Sequence, residues 1–458
     1  MVTRLKKVFF DPYSFAVYML VLSYIGAPAF TKAHLGLFRK AGLAWGALLL
    51  LIFGITKWKV YLKNKYAGAL VLFCIVNGIT ILLNWKIKLA SNIFTFGYMV
   101  TSLLLIFNMF YQKDKEEVRK KTELFCWINV WIPFVYAGLA ILSFVLCISG
   151  VYEGRGGLQY YGMHQNRLWG LVNPNTGGTM AMISMLFSLY LILEYKKKQK
   201  FLAVNILIQY IYMVLTQSRS AYVGFLFAVA VILVFIVFKR ENIFTKDLKK
   251  ASRNVFRAAV IYFCILVLLP VVKETVTVIP NMLLEIYYAG DEAAIDEEKI
   301  TIERVEEFDE EDSNSISNGR TAMWQSGIKV WSKSKIWGVG ANSIYEYANI
   351  YLDRGDAQAL QNGSFHNVYV TTLVASGLMG LGTLILFLLL VFFRFVVFLF
   401  TGKNKNPAIL MCICGAILIA ELMESRILYG NTSVHYIFWM TAGILCHKHI
   451  LEMKDEKI

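Results

Sequence analysis

The sequence predicts an all-α, polytopic integral membrane protein with about twelve transmembrane helices and one large polar loop. Three observations carry this. Hydrophobic residues make up 57% of the 458 residues and charged ones only 17%, where a soluble domain carries about 25% charged residues. Several apolar runs approach or exceed the roughly 18–20 residues that cross a bilayer. The loops between those runs are alternately rich and poor in Lys and Arg.

The spans fall near 14–30, 41–57, 67–84, 93–111, 124–149, 175–194, 201–217, 220–238, 255–272, 379–400, 407–424 and 433–450. This divides the chain into 1–272 with nine helices, a loop over 273–378, and 379–458 with three more. The basic loops hold Lys6 and Lys7, Lys57 to Lys65, Lys113 to Lys121, Lys196 to Lys200, Lys239 to Lys250, and Lys403 with Lys405. The positive-inside rule places these loops and both termini in the cytoplasm, and the long loop outside. Lys32, Arg39 and Lys40 blur the contrast at the first outer turn. The same loops account for the net charge of +15, so no nucleic-acid partner is called for. Arg4, Lys6 and Lys7 before an apolar run ending at Ala27-Pro28-Ala29 have the look of a signal peptide. Asp11-Pro12 interrupts that basic region, and an even number of spans fits the loop charges, so an uncleaved first span is expected.

All seven cysteines lie within or beside apolar runs, so no disulfide framework is implied. Cys412-Ile-Cys414 lacks the spacing and company of a zinc site. No metal and no cofactor is expected.

Two outer segments carry the polar chemistry. The first, near 150–175, is rich in glycine and aromatic residues, which suits a loop in the membrane interface. It ends at Asn173-Pro174, a good helix start. The long loop begins with an acidic run from Asp291 to Asp312, which reads as a solvated stretch with no assigned chemistry. From Ser313 it gains structure. Ser317 or Asn318 caps a helix opening at Arg320, with Met323, Trp324, Gly327, Ile328 and Trp331 on one face. Gly338-Val339-Gly340 breaks it. Ser343 and Glu346 form a capping box for a second helix through Tyr345, Tyr347 and Tyr351. His366-Asn367 then leads into an apolar segment kinked around Gly377 and Gly380.

These motifs together form a pattern. Ser317-Asn318-Gly319-Arg320-x-x-x-Trp324 is followed by Ile336-Trp337-Gly338-Val339-Gly340, then by His366-Asn367 and Gly377-Leu378-Met379-Gly380. Asn173-Pro174-Asn175 and Ser218-Arg219-Ser220 precede them. Over roughly residues 170–385 the chain resembles the O-antigen ligase and polysaccharide polymerase superfamily of bacterial membrane glycosyltransferases. The resemblance implies a GT-C-like fold in the bacterial cytoplasmic membrane, with the active site on its outer face. It implies an inverting transfer of a glycan from a polyprenyl pyrophosphate, such as undecaprenyl pyrophosphate, without a metal or nucleotide sugar. Arginines would lie on the pyrophosphate and a histidine near the acceptor. The implied partners are a lipid-linked oligosaccharide donor and acceptor and membrane lipids, with a flippase and a chain-length regulator beside them. The acidic stretch 291–312 is not part of the pattern.

On this reading Arg219, at a very short turn between two apolar runs, binds the donor pyrophosphate, because its planar fork holds phosphate oxygens bidentately. Its ordinary alternative is to snorkel to lipid headgroups. Arg320 opens a helix, so its guanidinium and the backbone N–H groups can converge on the same anion. Its ordinary alternative is a surface arginine in a first turn. His366 helps the acceptor hydroxyl, since imidazole exchanges protons near neutral pH; otherwise it caps a helix entry. His164 and His435 are its rivals on the outer face. Arg155, Arg167, His164, Asn367 and Trp337 are further candidate substrate contacts, with interfacial anchoring as the alternative for the first three. Polymerisation of repeat units, for O-antigen or capsule, is the favoured activity. Ligase-type transfer of a finished glycan to a lipid or other carrier is the alternative. A flippase or transporter would need charged residues near the midplane of the spans, where this sequence has few.

Overall fold

The computed structural model describes residues 2–32, 34–59, 64–110, 113–154, 157–240, 248–288, 299–302, 320–361, 365–401 and 406–447. Arg155, the cap candidates Ser317 and Asn318, and nearly all of the acidic run lie outside these. Among the described residues the chain is all-α apart from two small hairpins. Its helices are α1 (Val2–Phe9), α2 (Pro12–Ile25), α3 (Ala29–Lys32), α4 (Gly36–Lys57), α5 (Lys65–Leu83) and α6 (Leu89–Val100), which continues as a π-helical turn over Thr101–Ile106. They are followed by α7 (Lys115–Val145), α8 (Pro174–Glu194), α9 (Gln199–Thr216), α10 (Arg219–Arg240) and α11 (Leu248–Tyr287). The remainder are α12 (Arg320–Lys333), α13 (Ile344–Tyr351), α14 (Arg354–Ala359), α15 (Val368–Thr401), α16 (Pro407–Ala420) and α17 (Ser433–Cys446). Strands β1 (Gly150–Gly154) and β2 (Gly157–Tyr161) pair antiparallel, as do β3 (Met163–His164) and β4 (Arg167–Leu168). The expected interfacial loop is thus a double hairpin.

By length and composition, eight of these helices are able to cross a membrane, rather than the expected twelve: α4, α5, α6 with its π turn, α7, α8, α9, α11 and α15. The other four predicted spans correspond to shorter apolar helices of 10–17 residues: α2, Arg219–Val234 of α10, α16 and α17. A 14-residue helix is about 21 Å long, less than the roughly 30 Å of hydrocarbon. Two of the four are cut short by irregular backbone. Gly26 and the following Pro28 end α2, and α16 stops at Ala420 where the chain turns back on Glu421. The helix expected to end near 272 instead runs on to Tyr287, and α15 begins at Val368. The stretch between them is therefore shorter at both ends than the expected 273–378.

Buried polar contacts assign the loops to two ends of the bundle. At one end, Arg167 bonds Thr216, Arg426 bonds Asn175, Asn84 bonds Gly338 and the Val368 amide bonds the Glu421 carbonyl. At the other, Lys121 meets Asp11, Tyr195 bonds Arg119 and Asn406 bonds Glu194. Helix α8 is the central post, buried along most of its length. Between α8 and α9, Asn205 donates to the hydroxyls of Ser184 and Ser188 and accepts from Gln209, the kind of polar contact that joins helices in an apolar medium. Helix α11 is the opposite case: none of its apolar window is buried.

Residues 320–361 and 365–367 fold over one end of the bundle and, with the start of α15, share a small core. Val330, Val339, Ile344, Ala348, Ala357, Leu360, Phe365 and Val374 are buried there, with Met323, Trp324 and Trp331 packed against them. Ile328, expected on the same face, is 41% exposed, and Val330 takes the inner place. The expected capping box does not form. The Ser343 hydroxyl donates to the Ile87 carbonyl and accepts from Asn92, while Glu346 pairs with Lys88 at 2.7 Å. These contacts tie the segment to the α5–α6 turn instead.

The glycine motif explains how it is seated. Gly377 breaks α15 with φ 67° and ψ −168°, a conformation open to glycine at little cost. The break frees the carbonyls of Val374 and Ala375, which accept from the amides of Val339 and Gly340 at 3.1 and 2.9 Å. In return the amides of Leu378 and Met379 donate to Lys335 and Ile336. A Cβ on Gly338 would lie 2.5 Å from this backbone, and one on Gly377 would lie 2.2 Å from the Ile336 carbonyl oxygen. Two backbones touch here, and neither site has room for a side chain.

Candidate functional site

Helices α9 and α10 are joined by only two residues. Gln217 takes a left-handed φ of 49°, and Ser218 starts α10 with its carbonyl accepting from the Tyr222 amide. This turn puts Arg219, half-buried, at the first residue of a 22-residue helix. Arg320 is likewise the first residue of α12. The two charges are close enough to influence each other. Burial lowers the Arg320 pKa from its usual value, Glu424 opposes the shift, and the charge of Arg219 adds to it. Cations at helix N-termini are disfavoured by the dipole, whereas an anion there is favoured. An anion within reach of both would be favoured by each helix end.

His366 lies beside this pair. Its φ is +45°, rare for a residue with a side chain, and three contacts hold it there. The Trp324 indole donates to the Phe365 carbonyl at 2.7 Å. The Asn367 amide donates to the Ser425 hydroxyl at 3.0 Å, and its side-chain nitrogen donates to the Leu422 carbonyl at 3.1 Å. So held, the His366 Nδ1 faces Glu424 Oε2 at 3.6 Å. Glu424 is buried, which by itself raises its pKa. His366, Arg426 and Arg320 outweigh burial, and the carboxyl is held below the usual range.

The 421–432 turn supplies residues that the sequence reading passed over. Glu421 accepts from the amides of Arg426 and Ile427 at 2.6 and 3.1 Å, and its other oxygen is 3.4 Å from Arg426 Nε. Arg426 is 8% exposed and donates Nη1 to the Asn175 carbonyl at 3.3 Å. Asn175 also accepts from Arg167 Nη2 at 2.9 Å through its side chain, and Arg167 Nε donates to the Thr216 carbonyl at 3.0 Å. A chain of contacts thus runs from Thr216, beside the Arg219 turn, through Arg167 and Asn175 to Arg426, and Arg426 acts on Glu424. Two atoms in it, Arg426 Nη2 and Glu424 Oε1, are buried with no hydrogen-bond partner among the described residues. Buried polar atoms are rarely left this way unless water or a ligand completes them. The signal was in the sequence: Glu421-x-x-Glu424-x-Arg426 puts three ionisable groups at the end of an apolar run, where such groups mark functional sites by default.

The other predicted residues divide. Arg320 and His366 both act on Glu424, the charge of Arg219 reaches Arg320, and Arg167 is linked through Asn175 to Arg426. Asn367 serves as helix cap: its Oδ1 accepts from the Tyr369 and Val370 amides. These bonds, with those to Ser425 and Leu422, fix the backbone next to His366. Trp337 is half-buried, with its carbonyl bonded by Thr80. His164 is stacked flat on Tyr160, ring centroids 3.4 Å apart, beside Trp169; burial lowers its pKa. His435 is fully buried, with Nδ1 2.8 Å from the Ile427 carbonyl and Nε2 2.7 Å from the Ser102 hydroxyl, so it is a packing residue and no rival to His366. Among the described residues no three His, Cys, Asp or Glu side chains are grouped as a metal site would need.

Residues 202–385 match the family model described as O-antigen ligase. The match takes in Arg219, Arg320 and His366 and ends before the 421–432 turn. A search of curated proteins gives no match.

Proposed function

From the place of residues 202–385 in the O-antigen ligase and polymerase superfamily, we propose that this membrane protein transfers a glycan from a polyprenyl pyrophosphate to an acceptor hydroxyl at the end of the bundle that carries His366. Membership supports glycan transfer as the activity; the donor, the roles and the side of the membrane are our reading. The observation that carries it is the convergence of two helix-opening arginines with a histidine–glutamate pair.

Arg219 and Arg320 hold the pyrophosphate and stabilise the charge that builds on it as it leaves. His366 turns Nδ1 to Glu424, so Nε2 takes the proton of the acceptor hydroxyl, and Glu424 stabilises the imidazolium that results. The acceptor oxygen bonds to the anomeric carbon as the carbon–phosphate oxygen bond breaks. The electron pair leaves with the pyrophosphate, and attack from the opposite face inverts the centre. The pyrophosphate is a good leaving group, so this route needs no metal or cofactor. The termini are cytoplasmic and the site external, by the charge of the loops.

The family's description favours ligase-type transfer of a finished glycan to a lipid or other carrier over the polymerisation expected from sequence. Both use the same residues, and a glycan gel of a deletion strain tests them. Long chains left on the lipid carrier mean a ligase. Loss of long chains with single units still attached means a polymerase. An unchanged pattern would remove the proposal altogether.

A further inference from the structure

Beside the arginine turn lies a groove that the proposed chemistry does not use. One wall is the end of α7 and the residues after it, up to Ser149; the facing wall is the overhanging end of α11, from Leu283 to Tyr288. The β3–β4 turn forms the floor, and residues 299–301 close the far side. It encloses about 640 Å³, well within the range of pockets that bury drug-sized ligands.

The groove is a built feature. Helix α11 has 40 residues, about 60 Å, so it overshoots a bilayer core of roughly 30 Å and raises a wall beyond it. Asn281 in that helix donates to the Ile300 carbonyl at 3.1 Å and accepts from the Ile300 amide at 2.9 Å, pinning the returning chain as a neighbouring strand would. Asn166, in the β3–β4 turn, donates to the Thr301 hydroxyl at 3.1 Å. Ile302 is buried beyond it.

Its position relative to the reacting centre is set by two contacts. Gln217, two residues before Arg219, donates to the Asn166 carbonyl at 2.5 Å, and Arg167 donates to Thr216. The groove therefore adjoins the turn that carries Arg219. Its lining suits sugars. Tyr287 is 79% exposed and sits edge-to-face with Tyr288 at 4.9 Å, offering aromatic faces to the C–H side of a pyranose. Lys299, Gln165 and Thr301 supply hydrogen-bonding groups for hydroxyls. We propose that this groove binds the sugars of the donor glycan beyond the one whose anomeric carbon reacts. The inference rests on the glycan-transfer reading and assigns a place to the part of the donor that does not react.

The test compares two ligands on the full chain in lipid nanodiscs: the bacterium's own lipid-linked glycan, and polyprenyl pyrophosphate with no sugar. Tyr287→Ala and Lys299→Ala both alter exposed positions. Truncating an aromatic anchor weakens binding by about fivefold or more, so Tyr287→Ala should raise the Kd for the lipid-linked glycan by that factor. Lys299→Ala should raise it less. The Kd for sugar-free polyprenyl pyrophosphate should stay the same in both. An equal loss for both ligands would make the groove a lipid or phosphate site, and no loss for either would leave it without a role; each overturns the proposal. If the unaltered protein binds neither ligand, the glycan-transfer reading fails first, and the groove's assignment falls with it.

Discussion

Two histidines stand at the same end of the bundle in opposite conditions. His435 is sealed: no part of it is exposed, and both ring nitrogens have partners, one on the 421–432 turn and one on the π-helical turn. His366 is open: 39% of its side chain is accessible, its backbone is in a left-handed conformation, and Nδ1 faces a carboxylate. The residue type is the same, so the difference lies in what surrounds it. The sealed histidine holds in place the turn that carries Glu424 and Arg426, helped by Trp439, whose indole donates to the same Ile427 carbonyl at 2.8 Å. The open one is left accessible to a third party. The comparison teaches that rigidity behind the turn and access in front of it are separate properties, and each can be removed alone.

The largest expected effect breaks the open side. His366→Ala should cut kcat by about a hundredfold or more, in line with the loss of a general base, while the donor still binds. His435→Ala should do the reverse. It leaves the Ser102 hydroxyl buried without its partner, at about 1–3 kcal/mol, and the Ile427 carbonyl held by Trp439 alone. The melting temperature should fall, with kcat nearly kept in the protein that remains folded. Thermal melts and turnover of both variants decide this. If His435→Ala abolishes turnover at normal stability, the two histidines have been assigned the wrong way round.

The arginines come next. Lysine keeps the charge but loses the planar fork. Charge-assisted hydrogen bonds contribute roughly 1.5–3 kcal/mol each, so Arg219→Lys and Arg320→Lys should lose about tenfold to a few hundredfold in activity. Unlike His366→Ala, they should weaken donor binding. Full activity with normal binding in Arg320→Lys would return that residue to an ordinary helix start.

How much of this was legible in the sequence follows from how local each feature is. Arg219, Arg320, His366 and the glycines of 338–340 and 377 sit in short motifs, and the motifs were enough to pick them out. The glycines were readable as turn and kink, although only the fold shows that both serve one contact between two backbones. Glu424 and Arg426 lie 58 and 60 residues beyond His366 in a stretch that hydropathy absorbs into an apolar run. Their spacing marks the stretch, but only the fold shows which groups they pair with. Span number was misjudged for a related reason: hydropathy runs on past the points where α2 and α16 end, and it carries no information about where backbone hydrogen bonding stops. Ser343 and Glu346 satisfy a local capping rule, yet Asn92 and Lys88 compete for them from 250 residues away.

Glu424→Gln tests the link between the 421–432 turn and the open histidine. Gln keeps the size and loses the charge, so kcat should fall roughly tenfold with donor binding little changed. Stability should respond to pH as well. The Glu424 pKa is depressed in the folded protein, so its contribution is complete above the ordinary glutamate value of about 4.3 and is lost as pH falls through the lower folded value. Below about pH 4 the unaltered protein should lose melting temperature more steeply than Glu424→Gln. Parallel curves would mean that the carboxylate is not held by His366, Arg426 and Arg320.

The smallest expected effect concerns what holds the open histidine in its unusual conformation. Trp324 reaches the carbonyl immediately before His366 with its indole N–H. Trp324→Phe keeps an aromatic ring against the small core but removes the N–H donor along with part of the ring. A hydrogen bond of this kind contributes about 0.5–1.5 kcal/mol net. The Phe365 carbonyl, once released, no longer restrains a backbone that has easier conformations available. His366 should then spend less time facing Glu424, and kcat should fall roughly three- to tenfold. Donor affinity should be kept, because Arg320 heads the same helix and that helix is unchanged. Trp331→Phe is the control: it removes the same kind of bond from the same helix, to the Lys335 carbonyl at 3.0 Å, on a stretch that does not touch His366. A loss confined to Trp324→Phe means that the indole acts through the histidine. Equal losses in the two variants mean that the helix has merely loosened, and the left-handed backbone at His366 must then be maintained by the Asn367 contacts with Ser425 and Leu422 alone.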